Sequence, residues 1–441
     1  MHRATQLSDD ALGAVPGPRR SAGADAVTLL TVLVAIRLVL PSQFVIGPLG
    51  GAGAPATLFG LLLLAYWLWH RLRRVVPEHS ALVNGAAMAL GAIALASYAA
   101  ASVRPIADDE FTLSALSLLS LAGWMGGLLL ASDGVTSPDR LRDLVSRIAV
   151  MGGAFAGFGL VQFVTGAAWV DRLAIPGLVA NTPVYALSQR EGFSRPFSTA
   201  IHPIEFGSVI AMMLPLTIVF GLLGRVRGGG RWRSWIPAVL TVLAASLSTS
   251  RSTLVGLAVG MVLLWPALTG LQRLIGAVAA AVVGVFVFVT VPGMVGTISG
   301  LFGGVATVDS SVASRVDSFG VAADYFSRAP IIGRGFGTFL PRYRIFDNQY
   351  LIGLVETGVL GLIAMVLLWV IPVVGVARVI RKSDPGTPQR LMGAGLLASC
   401  VVGGVGLAFF DGFGFPMMPA VWFVLLGMGG AYSRLATATS S

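Results

Sequence analysis

Apolar stretches of about twenty residues recur along the whole chain, separated by polar or Gly/Pro-bearing connections. They fall at 24–40, 53–70, 81–100, 112–131, 148–166, 203–224, 235–248, 252–268, 274–292, 349–377, 391–410 and 416–433. Each run is continuous rather than alternating, which is the pattern of a lipid-embedded helix and not of a barrel strand. Twenty residues of helix rise about 30 Å, enough to cross a hydrocarbon core. The pattern predicts an all-α fold, a polytopic transmembrane helix bundle of about 12 spans. The seventh and eighth runs nearly abut, leaving only a tight turn around Arg251.

Composition agrees. The chain has 441 residues, 55% hydrophobic and 11% charged. A soluble domain carries about 25% charged residues, so most of this surface has no water to face. Mean hydropathy is +0.83. Cys400 is the sole cysteine and lies inside an apolar run, which excludes an internal disulfide or a cysteine-based zinc site. The net charge of +10 is read as orientation in a membrane, not as nucleic-acid binding. With the N-terminus in the cytoplasm, 19 basic residues fall inside and 10 outside, and Arg37 sits within the first span. Residues 1–23 then read as a disordered cytoplasmic tail, 24–436 as the membrane domain and 437–441 as a second cytoplasmic tail. No cleavage pattern follows the first span, so it reads as an anchor. Lys382 is the only lysine, a bias that points to GC-rich coding and, with the outer face, to a bacterial plasma membrane.

Two outward segments break the run of short connections, 167–202 and 292–348. They hold eight of the ten outward arginines, although outward arginine works against the orientation signal. The longer segment has internal order. Ser314 with Asp317 makes a helix start, and Val316, Phe319, Ala323 and Phe326 recur at helical spacing up to Pro330. A short amphipathic helix is therefore expected before span 10, followed by the flexible turn Gly333-Arg334-Gly335-Phe336-Gly337.

The candidate chemistry lies in these segments. Arg195, Arg251 and Arg315 suit bidentate binding of a diphosphate, or else snorkel singly toward headgroups. His202 is the only outward histidine; it is either a structural helix end or a contact to sugar or phosphate. Asp347 is a candidate general base, an N-cap, or both. Glu356, about 13 Å into its span, is a functional carboxylate or an interhelical hydrogen-bonding partner. Asp411 reads as a structural turn residue. Asp108, Asp109 and Glu110 read as a solvated loop, with divalent-cation attraction as the other reading. No phosphate-loop motif for ATP is present.

These pieces in this order resemble the O-antigen ligase and polymerase superfamily of bacterial membrane glycosyltransferases. The matching residues are Arg195-Pro196-Phe197-Ser198, Ser250-Arg251-Ser252, Ser314-Arg315, Pro330-Ile331-Ile332-Gly333-Arg334-Gly335-Phe336-Gly337, Asp347-Asn348-Gln349-Tyr350-Leu351 and Glu356-Thr357-Gly358. The resemblance implies transfer or polymerisation of a polyprenyl-diphosphate-linked oligosaccharide at the outer face, with no metal, nucleotide or other cofactor. It implies Asp347 and Arg315 as catalytic residues and Arg195, Arg251, Arg315 and Arg334 as the diphosphate site. His202, Asn348 and Glu356 become contacts to acceptor or sugar. The implied partners are the lipid-linked donor, a glycan or lipid-glycan acceptor, the bilayer and other polysaccharide-assembly membrane proteins. Ligases of this superfamily typically carry histidine where Asp347 stands, so the residue leans the reading toward a polymerase.

Two rival classes differ in what they require. A flippase of lipid-linked glycans needs charged residues along a path through the spans, where Arg37 and Glu356 are nearly alone. A cell-wall polymerase of the shape, elongation and division type uses a similar donor, but its motif set is not found here.

Overall fold

The computed structural model describes residues 25–73, 80–182, 187–190, 193–224, 231–248, 250–290 and 310–438. The predicted tail 1–23, part of the longer segment (291–309) and the last three residues lie outside this range, as do the side chains of Arg251 and Arg315.

Helices occupy every predicted apolar run. They are α1 Ala26–Val39, α2 Pro55–Leu72, α3 Ala81–Ser102, α4 Asp108–Gly134, α5 Pro138–Thr165, α6 Pro203–Leu223, α7 Ile236–Leu247, α8 Arg251–Leu264, α9 Gly270–Thr290, α11 Gln349–Lys382, α12 Pro388–Gly406 and α13 Met417–Ala438. Between α9 and α11 lies α10, Ser310–Arg328, which starts four residues before Ser314. Several starts combine a side-chain cap with proline in the first turn, where a missing N–H costs nothing. Ser137 caps α5 ahead of Pro138, and Thr387 caps α12 ahead of Pro388.

Among the described residues, five helices, α3, α4, α5, α6 and α11, are long and apolar enough to cross a membrane. A sixth is added if Gly47–Gly53 and α2, bent by 67°, form one span. The remaining apolar helices include several shorter ones, and proline sets some of their limits: Pro41 follows α1 and Pro266 follows α8. The result is a multi-pass helical membrane protein.

The bundle is built around α13, which packs against α1, α4, α5, α6, α11 and α12. Trp422, Phe423, Leu425 and Leu426 on α13 are fully buried. Without water to expel, lipid-embedded helices associate by close packing of small residues. Here α2 meets α4 through Gly60 and Gly126, where a Cβ on Gly126 would stand 2.0 Å from the Gly60 carbonyl oxygen.

Polar links fasten both ends. At one end Asp133 accepts from Trp67 Nε1 (2.9 Å), the Ser80 N–H (3.1 Å) and Asn84 Nδ2 (2.8 Å). There Arg434 donates to the carbonyls of Ser132 and Val135, closing the C-terminus of α4. The opposite end carries the two long segments. Short strands β1 Phe44–Ile46 and β2 Leu178–Ala180 pair antiparallel, with Val45 opposite Val179. A second antiparallel pair joins β3 Ser188–Arg190 to β4 Phe193–Arg195.

Candidate active site

The start of α6 is held by a buried glutamine on α5. Gln162 Oε1 accepts the N–H groups of Phe197 (3.1 Å) and Ser198 (2.6 Å), while its Nε2 donates to the carbonyls of Ala168 and Ser198. All four polar valences of the amide are used. They hold Ser198 at φ 55°, a left-handed conformation a non-glycine residue rarely adopts. The Arg195-Pro196-Phe197-Ser198 motif is thus a rigid corner between β4 and α6.

His202 is the N-cap of α6: its Nδ1 accepts the Ile204 N–H at 3.1 Å. That bond needs an unprotonated Nδ1, which leaves Nε2–H as a donor. Burial, followed by the Arg195 charge nearby, lowers the pKa of His202, so the ring is held neutral. Three residues on, Glu205 is fully buried and accepts from the N–H groups of Ile201, Met417 and Met418, which ties the starts of α6 and α13 together.

At the start of α11 the N-cap is Asn348, not Asp347. Asn348 Oδ1 accepts the N–H groups of Tyr350 (2.9 Å) and Leu351 (3.3 Å). Asp347 stays exposed, one residue before the cap. Gln349 then joins α11 to the turn after α12: its N–H donates to the Leu407 carbonyl and its Oε1 accepts the Phe413 N–H, both at 2.8 Å. In that turn Asp411 accepts the Gly414 N–H at 3.2 Å. Burial, with the Asp347 charge adding to it, pushes the Asp411 carboxyl up to about 6. Phe415 connects this turn to α6, since its ring lies 5.9 Å from that of His202. Arg195 and His202 thus lie within electrostatic range of each other, as do Asp347 and Asp411, and Phe415 links the Asp411 turn to His202.

Glu356 and the glycine turn form the next layer. α11 breaks at Gly358 (φ 66°), and the freed backbone pairs with the turn. Arg334 and Gly335 donate to the carbonyls of Val355 and Glu356, while Val359 donates to Pro330. The approach is close, since a Cβ on Gly333 would stand 2.2 Å from the Glu356 carbonyl. The Glu356 carboxylate accepts the Phe339 N–H at 3.1 Å, and its carbonyl accepts Ser97 Oγ.

Arg334 is engaged inside the fold. It contacts both carboxylate oxygens of Glu110 at 3.1 Å and lies 4.6 Å from the Tyr343 ring centre. Glu110 is 4% exposed, so the acidic trio is not a solvated loop: Asp108, Asp109 and Glu110 form the first turn of α4. Asp109 pairs with Arg342, and Asp317 pairs with Arg344 at 3.0 Å.

The backbone positions of the other two arginines are defined. Arg251 is the first residue of α8, whose first turn crosses α6 so closely that a Cβ on Gly207 would stand 2.0 Å from Thr253 Oγ1. It therefore sits beside the start of α6. Arg315 lies in the first half of α10, two residues before the Asp317 that reaches Arg344. Farther along α10, Ala322 packs with Phe339, Phe346, Ile352 and Val355.

Residues 236–366 match the family model described as O-antigen ligase. Over this segment the chain is similar to the O-antigen ligase family, which supports the resemblance to the ligase/polymerase superfamily. The match covers less than a third of the chain. A search of curated proteins found no match. The matched segment holds Arg251, Arg315, Arg334, Asp347, Asn348 and Glu356, while Arg195, His202 and Asp411 lie outside it. The match supports, at the coarse level, an enzyme of the ligase/polymerase kind. Sequence reading did not single out Gln162, Glu205 or Gln349 as site-building residues; polar residues within apolar runs were the available signal.

Proposed function

We propose that the end of the bundle bearing His202 and Asp347 faces outward across a bacterial plasma membrane, with both chain termini cytoplasmic. There the protein transfers or polymerises a polyprenyl-diphosphate-linked oligosaccharide. The observation that carries this reading is the division of labour at α11. Asn348 satisfies the helix start, which leaves the adjacent Asp347 carboxylate exposed and free to act.

In the proposed reaction an acceptor hydroxyl attacks the anomeric carbon of the carrier-linked sugar. Asp347 takes the hydroxyl proton as the new glycosidic bond forms. The bond from the anomeric carbon to the diphosphate oxygen breaks, and the diphosphate leaves with the electron pair. Arg195, Arg251 and Arg315 stabilise that charge, and Arg315 acts closest to the departing oxygen. His202 offers Nε2–H to a sugar or phosphate oxygen. The Asn348 amide nitrogen contacts the acceptor, because its oxygen is occupied by the cap. Glu356 and Arg334 act by holding the glycine turn, and Arg334 reaches diphosphate only by leaving Glu110. A diphosphate is already a good leaving group, so no nucleotide or metal is required. Asp347 in place of a histidine favours elongation of a glycan over transfer to a lipid core.

The test is turnover of a polyprenyl-diphosphate-linked oligosaccharide by the purified protein, with Arg251→Ala and Asp347→Ala alongside. Glycan transfer that is lost in folded variants supports the reading. Intact donor under conditions where a control enzyme of the same class works, with varied acceptors supplied, overturns it and moves the assignment to transport of the same lipid.

A further inference from the structure

The adjoining ends of α3 and α4 lie outside the matched segment, yet they hold the stretch that leads into Asp347. Glu110, Ser114 and Ser117 fall at i, i+4 and i+7 in the first turns of α4 and so share one face of the helix. The Ser114 hydroxyl donates to the Phe336 carbonyl, and a Cβ on Gly337 would stand 2.7 Å from Ser117 Cβ. From α3 and the turn after it, Ser97 donates to the Glu356 carbonyl, Ala101 packs against Gly335 and Arg104 donates to the Arg334 carbonyl.

Buried Glu110 joins two separate points of this stretch. Arg334 reaches both of its carboxylate oxygens at 3.1 Å, and the Tyr343 hydroxyl donates to Oε1. One carboxylate thereby closes 334–343 into a loop. Its neighbour Asp109 pairs with Arg342, so two consecutive acids hold two consecutive residues. A buried carboxylate is tolerated only when it is paired and hydrogen-bonded, and this one spends its pairing on the stretch before α11.

Aromatic rings pass the anchor on to Asp347. Tyr343 lies 5.7 Å from Phe339, and Phe339 stacks on Phe346 at 4.8 Å with the planes 3° apart. Phe346 is fully buried and directly precedes Asp347. The Asn348 cap fixes the backbone on the other side. Asp347 is thus an exposed side chain on a backbone held at both sides, and one side leads back to Glu110.

We propose that Glu110 is a positioning residue for the transfer reaction: by holding Arg334 and Tyr343 it fixes where the Asp347 carboxylate meets the acceptor hydroxyl. This role rests on Asp347 acting as the base in the proposed transfer. Glu110 acts through the stretch it anchors and not on the substrate. Its signature is a fall in kcat with the donor KM unchanged, because Arg195 and Arg251 lie on β4 and α8 rather than on this stretch.

The experiment measures steady-state transfer from a polyprenyl-diphosphate-linked oligosaccharide by the purified full chain, per folded molecule, together with amide hydrogen exchange over 334–346. Wild type is compared with Glu110→Gln and with Tyr343→Phe. The second variant removes only the hydroxyl that Glu110 holds, and it decides the matter if Glu110→Gln does not fold. In Glu110→Gln, kcat should fall roughly tenfold to a hundredfold, the scale of an ångström-sized misplacement, with a smaller fall in Tyr343→Phe. Donor KM should stay unchanged, and exchange over 334–346 should quicken. An unchanged kcat in folded Glu110→Gln, or in Tyr343→Phe if that alone folds, overturns the proposal and leaves the transfer reading standing. A kcat that falls with exchange unaltered, or a loss confined to donor KM, overturns it as well. No transfer by wild type, where a control enzyme works, overturns the transfer reading itself, and the role of Glu110 falls with it.

Discussion

Gln349 Oε1 accepts the Phe413 N–H at 2.8 Å, and through this bond the turn carrying Asp411 is held against the helix start that carries Asp347. Two carboxylates 64 positions apart in sequence are brought into mutual electrostatic range by one buried amide. Replacing Gln349 by Met removes the acceptor and leaves a part-buried N–H unmatched, a loss of about 1–3 kcal/mol. A lower thermal midpoint together with slower glycan transfer is the expected pair of results. A transfer rate unchanged in a measurably destabilised protein would separate the Asp411 turn from the reaction.

Asp347 and Asn348 should divide cleanly under mutation. Asp347→Asn removes the proposed base from an exposed position, so turnover should fall by about 10²–10⁴ with the thermal midpoint unmoved. Asn348→Ala removes the cap and should cost about 1 kcal/mol of stability. Rates and unfolding curves on both variants, measured side by side, check the division.

Asp411 makes stability depend on pH. Its folded pKa is raised from 3.8 to about 6, so the folded protein holds this proton more tightly than the unfolded chain does. The associated stability is present below about pH 4 and is lost as pH rises through about 6. Asp411→Asn keeps the neutral form at every pH and should remove that decline. Because the side chain is only partly buried, the expected difference between pH 4.5 and 7.5 is small, ~1–2 °C in the unfolding midpoint. Parallel slopes for wild type and variant across that window would show that Asp411 is not the group responsible.

His202 predicts the opposite slope. Its folded pKa is lowered, so its contribution is present above the unfolded value of 6.5 and is lost as pH falls. Protonation also removes the cap to Ile204. His202→Asn retains a capping oxygen and should abolish the acid-side loss of stability while reducing turnover through the missing Nε2–H. Thermal unfolding between pH 5 and 7.5, with turnover at pH 7.5, tests both parts.

The Gly358 break is the last target. Alanine there must adopt φ 66° and would place its Cβ 2.3 Å from the Ile331 carbonyl oxygen. A loss of about 1–3 kcal/mol from the strained backbone alone, increased by the clash, is expected. Limited proteolysis should show the 330–337 turn released from α11. Cleavage no faster than in wild type would show that the turn is held by other contacts.

The helices and their approximate limits were legible in the sequence, because a segment that must sit in lipid has to be apolar over a length set by the membrane. The enrichment of arginine in two segments was legible for the same reason, since it runs against the orientation signal. The order of short motifs from Arg195 to Glu356 was readable as a family resemblance. Tertiary structure decided which polar group meets which. It made Asn348 rather than Asp347 the cap of α11, turned Glu110 from a loop acid into the partner of Arg334, and gave Gln162 the task of holding the Arg195 corner. Glu110 and Arg334 are 224 residues apart, and Glu205 and Met417 are 212 apart. Hydrophobicity is additive along a local window and so is written in the sequence. A hydrogen bond requires two particular atoms within about 3 Å and correctly aligned, and only the packing of distant helices brings them there.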